Sequence, residues 1–444
     1  MPETLRGPRF SPLQTLSFMK SPAVFFRENS QRYGDPFIAK LPMGTIVATG
    51  EPDGIREIFS ADPSIFEPLS RVVLEPVVGA NSMLLLSGER HKRERRLLMP
   101  PFHGERMRAY GTLMQQATLE VMEGLRPGDS LVAMRKTQAI SLEIIIRAVF
   151  GVEEPERVRR FMEAVTMYAD AFTPLLMLLV PLRRSFGGIG PWARFERHSQ
   201  ALDALLTEQI ARRRADGRGG EDILTLLLSA RDEEGQPLSE RELKDELLTM
   251  LIAGHETTAI GMAWALYWLH RTPEARQKLE QELSGLGPRP EPEALAKLPY
   301  LSAVCDETLR LYPVVGLVTR KLRAPLTLRG HVLPEGMGVM AAITLAHHNP
   351  VTFPEPERFR PERFLERKFS PFEYLPFGGG ARRCLGAAFA LYEMKVALGT
   401  LLAAHRFTLA HDRPIRPVRR NVTLAPDDGV PLRYDGPVVP GARA

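Results

Sequence analysis

Apolar side chains fall on nearly every side of LLTMLIAGHETTAIGMAWALYWL (247–269) when the stretch is wound at a helical period. The pattern around it predicts one helix over 239–272. Ser239 and Glu242 stand at capping-box spacing at its start, and Pro273 stops it. At 1.5 Å per residue this helix is about 50 Å long. A helix apolar on all sides is buried, so the polar residues within it need a reason. MRAYGTLMQQATLEVMEGL (107–125) and TQAISLEIIIRAVFGV (137–152) carry apolar residues at three- and four-residue spacing and predict two more helices. LSAVCDETLRLY (301–312), halted by Pro313, and LGAAFALYEMKVALGTLLAAH (385–405) predict another two.

Elsewhere the period shortens. PFIAKLPMGTIVATG (36–50) alternates β-formers about Met43-Gly44 and predicts a hairpin. Beyond Pro313, proline and glycine cut the chain into short strands, including LTLRGHVLPEGMGVMAAITLA (326–346), and a β-rich tail follows the last helix. ADGRGGED (215–222) is the one linker-like stretch, followed by the short apolar ILTLLLSA (223–230). There are no repeats. The expected fold class is mainly α with small peripheral β-sheets (α+β).

Composition narrows this picture. A chain of 444 residues with 44% hydrophobic and 25% charged residues buries a large core. Its 58 basic against 53 acidic residues give a net charge of +5, too balanced for a nucleic-acid footprint without a recognition motif. Two cysteines cannot build a disulfide framework and predict a reducing compartment. MPETLRGPRFSPLQ lacks the apolar run of a signal peptide, and PLLMLLVPL (174–182) is far short of a membrane span. The expectation is a soluble, cytoplasmic protein.

Candidate chemistry centres on PFGGGARRCLG (376–386), where Cys384 stands among four glycines and two arginines. A lone cysteine is ordinarily a small buried hydrophobe. Here Phe377, Gly380, Arg382, Cys384 and Gly386 hold fixed offsets that average residue frequencies match by chance less than about once in ten thousand chains. A thiol just before a helix N-terminus is biased toward thiolate, glycines let backbone approach the sulfur, and Arg382 can meet an anionic group beside a metal. A cysteine nucleophile would instead want a histidine base close in space. Cys305, with no such collar, reads as core.

These residues resemble the signature of the cytochromes P450, haem-thiolate monooxygenases, matched in full from Phe377 to Gly386. Glu307 and Arg310, three apart on one helix face, with Arg363 in FRPERF (359–364), match the family's structural triad. AGHETT (253–258) matches its small residue, glycine, acid and threonine pattern. Read without the family, Thr257 can simply bond back to the carbonyl of Ala253, whereas an acid such as Glu256 in an apolar helix is costly and marks a functional site.

The resemblance implies one catalytic domain over 1–444, with haem b between the long helix and the cysteine loop. It implies Cys384 as iron ligand, Arg382, Arg95, Arg320 and His91 as propionate contacts, and Phe377, Gly386, Ala253 and Gly254 around the cofactor. It makes Thr257 and Glu256 catalytic, in holding O2 and its waters and in relaying protons. The family often has tryptophan where His91 stands, and a solvated basic helix is the other reading of His91 and Arg95. Adjacent side chains diverge, so His347 and His348 make no metal pair and receive no role.

No residues are left for a flavin or ferredoxin domain, so the expected partners of this monomer are a separate ferredoxin and its reductase. Arg383 with Lys92, Arg93 and Arg96 is the expected docking surface. The segments 67–86, 164–180 and 313–319 are strongly apolar. They predict a hydrophobic substrate such as a fatty acid, terpenoid or polyketide, with Ala253, Val314, Val315 and Leu317 lining its pocket and Met167 and Met177 making it pliable. The stretch 174–182 reads as lid, membrane contact or core. A peroxygenase or isomerase, and a non-catalytic haem sensor, are the competing functions, and neither needs the acid and threonine pair.

Overall fold

A computed structural model describes residues 5–41, 44–69, 71–102, 106–173, 176, 180–185, 187–216 and 220–438. The long helix spans Glu240–Arg271. Its start is fixed by the predicted box. The Ser239 amide donates to Glu242 Oε2 at 2.9 Å and the Glu242 amide donates to Ser239 Oγ at 3.2 Å. The described residues form two compact units, one drawn from 1–69, 122–137 and 259–444, the other from 70–121 and 138–258.

The first unit carries the sheets. Phe37–Leu41 and Gly44–Thr49 form the predicted hairpin, Phe37 opposite Ala48, and its Met43 lies outside the described residues. Phe37, Ala39 and Leu41 point inward and pack with Phe18, Phe25 and Phe26, while Lys40 is exposed, the alternation of a one-sided sheet. Gly338–Ala341 joins in parallel, followed by Val318–Leu322 and Phe66–Glu67 in antiparallel. A three-stranded sheet orders Ser130–Val132, Pro431–Pro437 and His405–Leu409, and two ribbons pair Leu326–Leu328 with His331–Leu333 and Pro417–Arg420 with Thr423–Pro426.

In this unit residues 259–267 of the long helix are all buried. Trp264 has no exposed surface and donates its indole N–H to the Leu424 carbonyl at 3.1 Å. Gly261 brings the helix against Met394 of Ala387–Ala404, where an added Cβ would stand 3.1 Å from the sulfur. Among the described residues Ala387–Ala404 is the one helix long and apolar enough to cross a membrane, and 67% of it is buried, as in a core helix.

The second unit is helical: Gly88–Leu98, Arg106–Met122, Ala133–Phe150, Pro155–Ala171, Pro191–Asp216 and Ile223–Ser229 contribute to it. The linker-like 215–222 ends one helix and caps the next through Asp222, which accepts from the Thr225 amide; its residues 217–219 lie outside the described set. Most of the apolar 174–182 also lies outside it, Met177 included. Of the rest, Leu176 is buried and Val180 and Leu182 are exposed.

The segment before Gly88 is tethered to the long helix by carboxylates. Asp245 accepts from the Asn81 amide at 3.0 Å and Glu246 from the Met83 amide at 2.5 Å. Gly79 makes this approach possible, because at its φ of +81° a Cβ would lie 2.2 Å from Asp245. Burial, with repulsion from Glu94, Asp245 and Glu242, pushes the Glu246 carboxyl up to about 8. A carboxyl raised from 4.5 stabilises the fold below that value, and the contribution is lost as pH rises toward 8. Glu246→Gln keeps an acceptor for the Met83 amide and cannot ionise. Its melting temperature should exceed the parent's at about pH 9 and match it at about pH 4.5, each kcal/mol appearing as ~1 °C. Equal melting at alkaline pH contradicts this.

Candidate functional site

The loop 376–386 precedes Ala387–Ala404, whose N-cap is Gly386. Gly378 and Gly380 take φ of +65° and +64°, and Gly380–Arg382 makes a single 3-10 turn. The Cys384 amide donates to the Phe377 carbonyl at 2.9 Å, closing the loop. Its glycines answer to a residue that sequence reasoning passed over. A Cβ on Gly379 would lie 2.3 Å from the Phe59 ring, and one on Gly380 2.6 Å from the Phe59 carbonyl. Phe59, on Pro52–Ser60, thus sets the path of the loop from outside. Gly386 differs. A Cβ there would meet no protein atom within 4 Å, so packing in this chain does not require glycine.

Cys384 is exposed, unusual for one of the most often buried residue types, and Phe377 is half-buried. Cys305 is fully buried with its thiol pushed up by burial, an inert core residue. Near Cys384 in sequence is a second peculiarity. Arg320 lies close enough to Arg382 to feel its charge, and burial followed by that repulsion lowers the Arg320 guanidinium to about 10. Burial also lowers Arg382. Arg320 donates to the carbonyl of its neighbour Thr319 at 2.8 Å, and among the described residues no carboxylate pairs with it. Two cations drawn together in this way suit an anionic ligand.

Beneath the loop, Glu307 and Arg310 of Pro299–Leu311 are paired at 2.7 and 2.9 Å with no exposed side-chain surface on either, and Arg363 adds a third contact at 3.1 Å. The Arg360 amide completes the carboxylate at 2.9 Å.

In the second unit, the long helix departs from the burial its pattern predicts. Ala253 is exposed, and Gly254, Glu256 and Thr257 are half-buried, leaving an accessible strip of small and polar residues. Gly254 packs against Ile145, whose Cδ1 would lie 2.9 Å from an added Cβ. Thr257 Oγ1 donates to the Ala253 carbonyl at 2.7 Å, and Thr258 to that of Gly254 at 3.1 Å. The back-bonding open to any helical threonine is therefore present, and it leaves the Thr257 oxygen lone pairs free to accept.

His91 is buried and Arg95 half-buried on Gly88–Leu98, so their face of this helix is not the solvated one. The cations expected to dock a partner there are largely neutralised. Lys92 pairs with Glu89 at 2.7 Å, Arg93 with Asp232 at 2.6 Å, and Arg96 with Glu233. Arg383, in the first unit, is exposed, and among the described residues no ion pair engages it. Of the pocket candidates there, Val314 is buried with its carbonyl accepting from Leu424, Leu317 packs on the Phe18 cluster, and Val315 keeps accessible surface. Met167 is 51% exposed.

Comparison with known proteins decides the family. A family model described as Cytochrome P450 matches residues 1–430. A putative cytochrome P450 135A1 of Mycobacterium tuberculosis is 34% identical over 445 residues, spanning 98% of this chain and 95% of its own length. The chain belongs to the cytochrome P450 family. A putative cytochrome P450 138 of Mycobacterium bovis is 33% identical, covering 97% of this chain and 95% of itself. Among solved structures, the cyanobacterial cytochrome P450 CYP120A1, with retinoic acid bound, matches at a TM-score of 0.86 and 26% identity over 98% of this chain and 100% of its own.

Cytochromes P450 are monooxygenases built on a haem whose iron is held by a cysteine thiolate. The residues present fit that group. An exposed thiol on a closed loop, a glycine whose lack of a side chain serves no packing inside the protein, and two arginines gathered without a carboxylate for Arg320 are what a thiolate-bound, dianionic macrocycle requires.

Proposed function

We propose that this cytochrome P450 inserts one oxygen atom from O2 into a long hydrophobic small molecule, acting as one catalytic domain in the cytoplasm and drawing electrons from a separate ferredoxin and its reductase. The observation that carries the reading is the accessible strip in the apolar middle of the long helix, Ala253, Gly254, Glu256 and Thr257. A haem sensor or an isomerase has no use for an acid and a hydroxyl side by side on this strip.

Haem bound through Cys384 supplies the activation of O2. The chain's own residues supply the rest. Arg320 and Arg382 hold the propionates, and His91 and Arg95 assist from their helix. Thr257 has its proton committed to the Ala253 carbonyl, so its oxygen accepts a hydrogen bond from a water or protonated oxygen on the accessible strip. Glu256, one residue away and half-buried, exchanges protons with solvent and passes them to that water. Ala253 and Val315 present apolar surface to the substrate. The retinoic acid bound by the cyanobacterial relative is a long apolar chain with one carboxylate, and it supports a fatty acid or terpenoid over a compact polar substrate.

The test is product per electron consumed, with a surrogate ferredoxin and a panel of fatty acids and terpenoids. Glu256→Gln should slow turnover about a hundredfold, the lower end of what a positioned proton donor contributes. Thr257→Ala should keep consuming reductant while releasing peroxide in place of product. Unchanged coupling in both variants, or full turnover on peroxide alone, contradicts the proposal and favours a peroxygenase.

A further inference from the structure

We infer that His347 is a positioning residue for the cysteine ligand, acting through the backbone of Leu375. The inference rests on the reading of Cys384 as the haem ligand and extends it to a residue that the family signature does not include.

His347 has no exposed surface and follows the short helix Ile343–Ala346. Its Nε2 lies 3.0 Å from the Leu375 amide nitrogen, which can only donate, so Nε2 accepts. The one proton of the neutral ring is then on Nδ1, which donates to the Arg310 carbonyl at 3.2 Å. That carbonyl belongs to the last turn of Pro299–Leu311, where no following helical amide is left to bond it. The exchange runs both ways, for Arg310 Nη1 donates to the His347 carbonyl at 2.8 Å. Protonation of Nε2 would set two N–H groups against each other, and burial, with the Arg310 charge, drives the imidazole well below its usual range.

From Leu375 the connection reaches the ligand through backbone alone. The Leu375 carbonyl accepts from the Gly378 amide at 3.0 Å, which fixes the turn that presents the Phe377 carbonyl to the Cys384 amide at 2.9 Å. Tyr374, beside Leu375, stacks on the His347 ring at 5.4 Å and donates its hydroxyl to Asp306 at 3.0 Å. His347 therefore joins the buried ion pair of Glu307 and Arg310 to the root of the ligand loop. Outer groups that orient a metal ligand by hydrogen bonds are felt in metal-site affinity even when they touch neither metal nor substrate.

The experiment compares three variants of the full holoenzyme by the rate of haem transfer to excess apomyoglobin and by the reduced carbonyl spectrum, with melting temperature recorded alongside. His347→Gln places an oxygen where Nε2 accepts from Leu375. His347→Asn reaches only the Nδ1 position, and His347→Phe keeps the stack on Tyr374 without either bond. We expect the Gln variant to lose haem within about twofold of the parent, and the Asn and Phe variants about ten- to a hundredfold faster, with part of their carbonyl complex moved to the shorter-wavelength, non-thiolate band. Should the Phe variant fail to fold, the contrast between Gln and Asn decides alone. Equal haem loss in Gln and Asn, whether parental or uniformly fast, overturns the inference. A parent without a thiolate-type band overturns the ligand assignment instead, so the two failures are distinguishable.

Discussion

Replacing Arg310 by leucine leaves a protein that melts roughly 3–5 °C lower and that does not retain haem. Arg310 and Glu307 are both without exposed side-chain surface, paired through two bonds of 2.7 and 2.9 Å, and Glu307 also receives Arg363 and the Arg360 amide. Removing Arg310 leaves the buried Glu307 with Arg363 and the Arg360 amide alone, and breaking a buried pair in this way costs about 3–5 kcal/mol. The expected loss exceeds that of an exposed ion pair such as Arg27 with Glu357, about 0–1 kcal/mol. Arg310→Lys should be nearly as damaging, because an ammonium cannot make the forked contact and also reach the His347 carbonyl. Thermal melting and haem content of purified Arg310→Lys, with Arg27→Ala as reference, check the point. A lysine variant as stable as the parent contradicts it.

The second large effect is chemical. Cys384→Ser and Cys384→Ala should fold, since the side chain is exposed and the closing bond of its loop is made by its backbone amide to the Phe377 carbonyl. Their melting temperatures without haem should match the parent's, while monooxygenase turnover falls by more than about three orders of magnitude, the scale for removal of one essential member of a catalytic unit. A serine variant that retains a tenth of the activity would exclude the thiolate from the chemistry.

What could be read in the sequence follows the range of each interaction. The capping box at Ser239 and Glu242 and the spacing of Glu307 and Arg310 are local, and the structure has both in place. The fold class was also accessible, because helical periods and Pro- and Gly-cut strands are local patterns. What lay hidden depends on contacts between distant segments. Phe59 explains two of the glycines before Cys384, yet nothing in PFGGGARRCLG points to it. The burial predicted for the whole long helix holds for 259–267 and fails at Ala253, since hydrophobicity gives the period of a helix and not which of its faces is covered. The paired histidines were given no role, because the bonds His347 makes are to Arg310 and Leu375, both remote in sequence. The basic helix around Arg96 had the expected charges, and its acidic partners Asp232 and Glu233 come from a loop that no pattern ties to it.

The central claim is that Cys384, as thiolate, is the iron ligand of a bound haem. The measurement that tests it most directly is the reduced carbonyl difference spectrum of the purified full-length protein. A single strongly red-shifted band, absent from Cys384→Ser, is the predicted result. A band at the position of histidine ligation, or a protein that takes up no haem, would contradict the account.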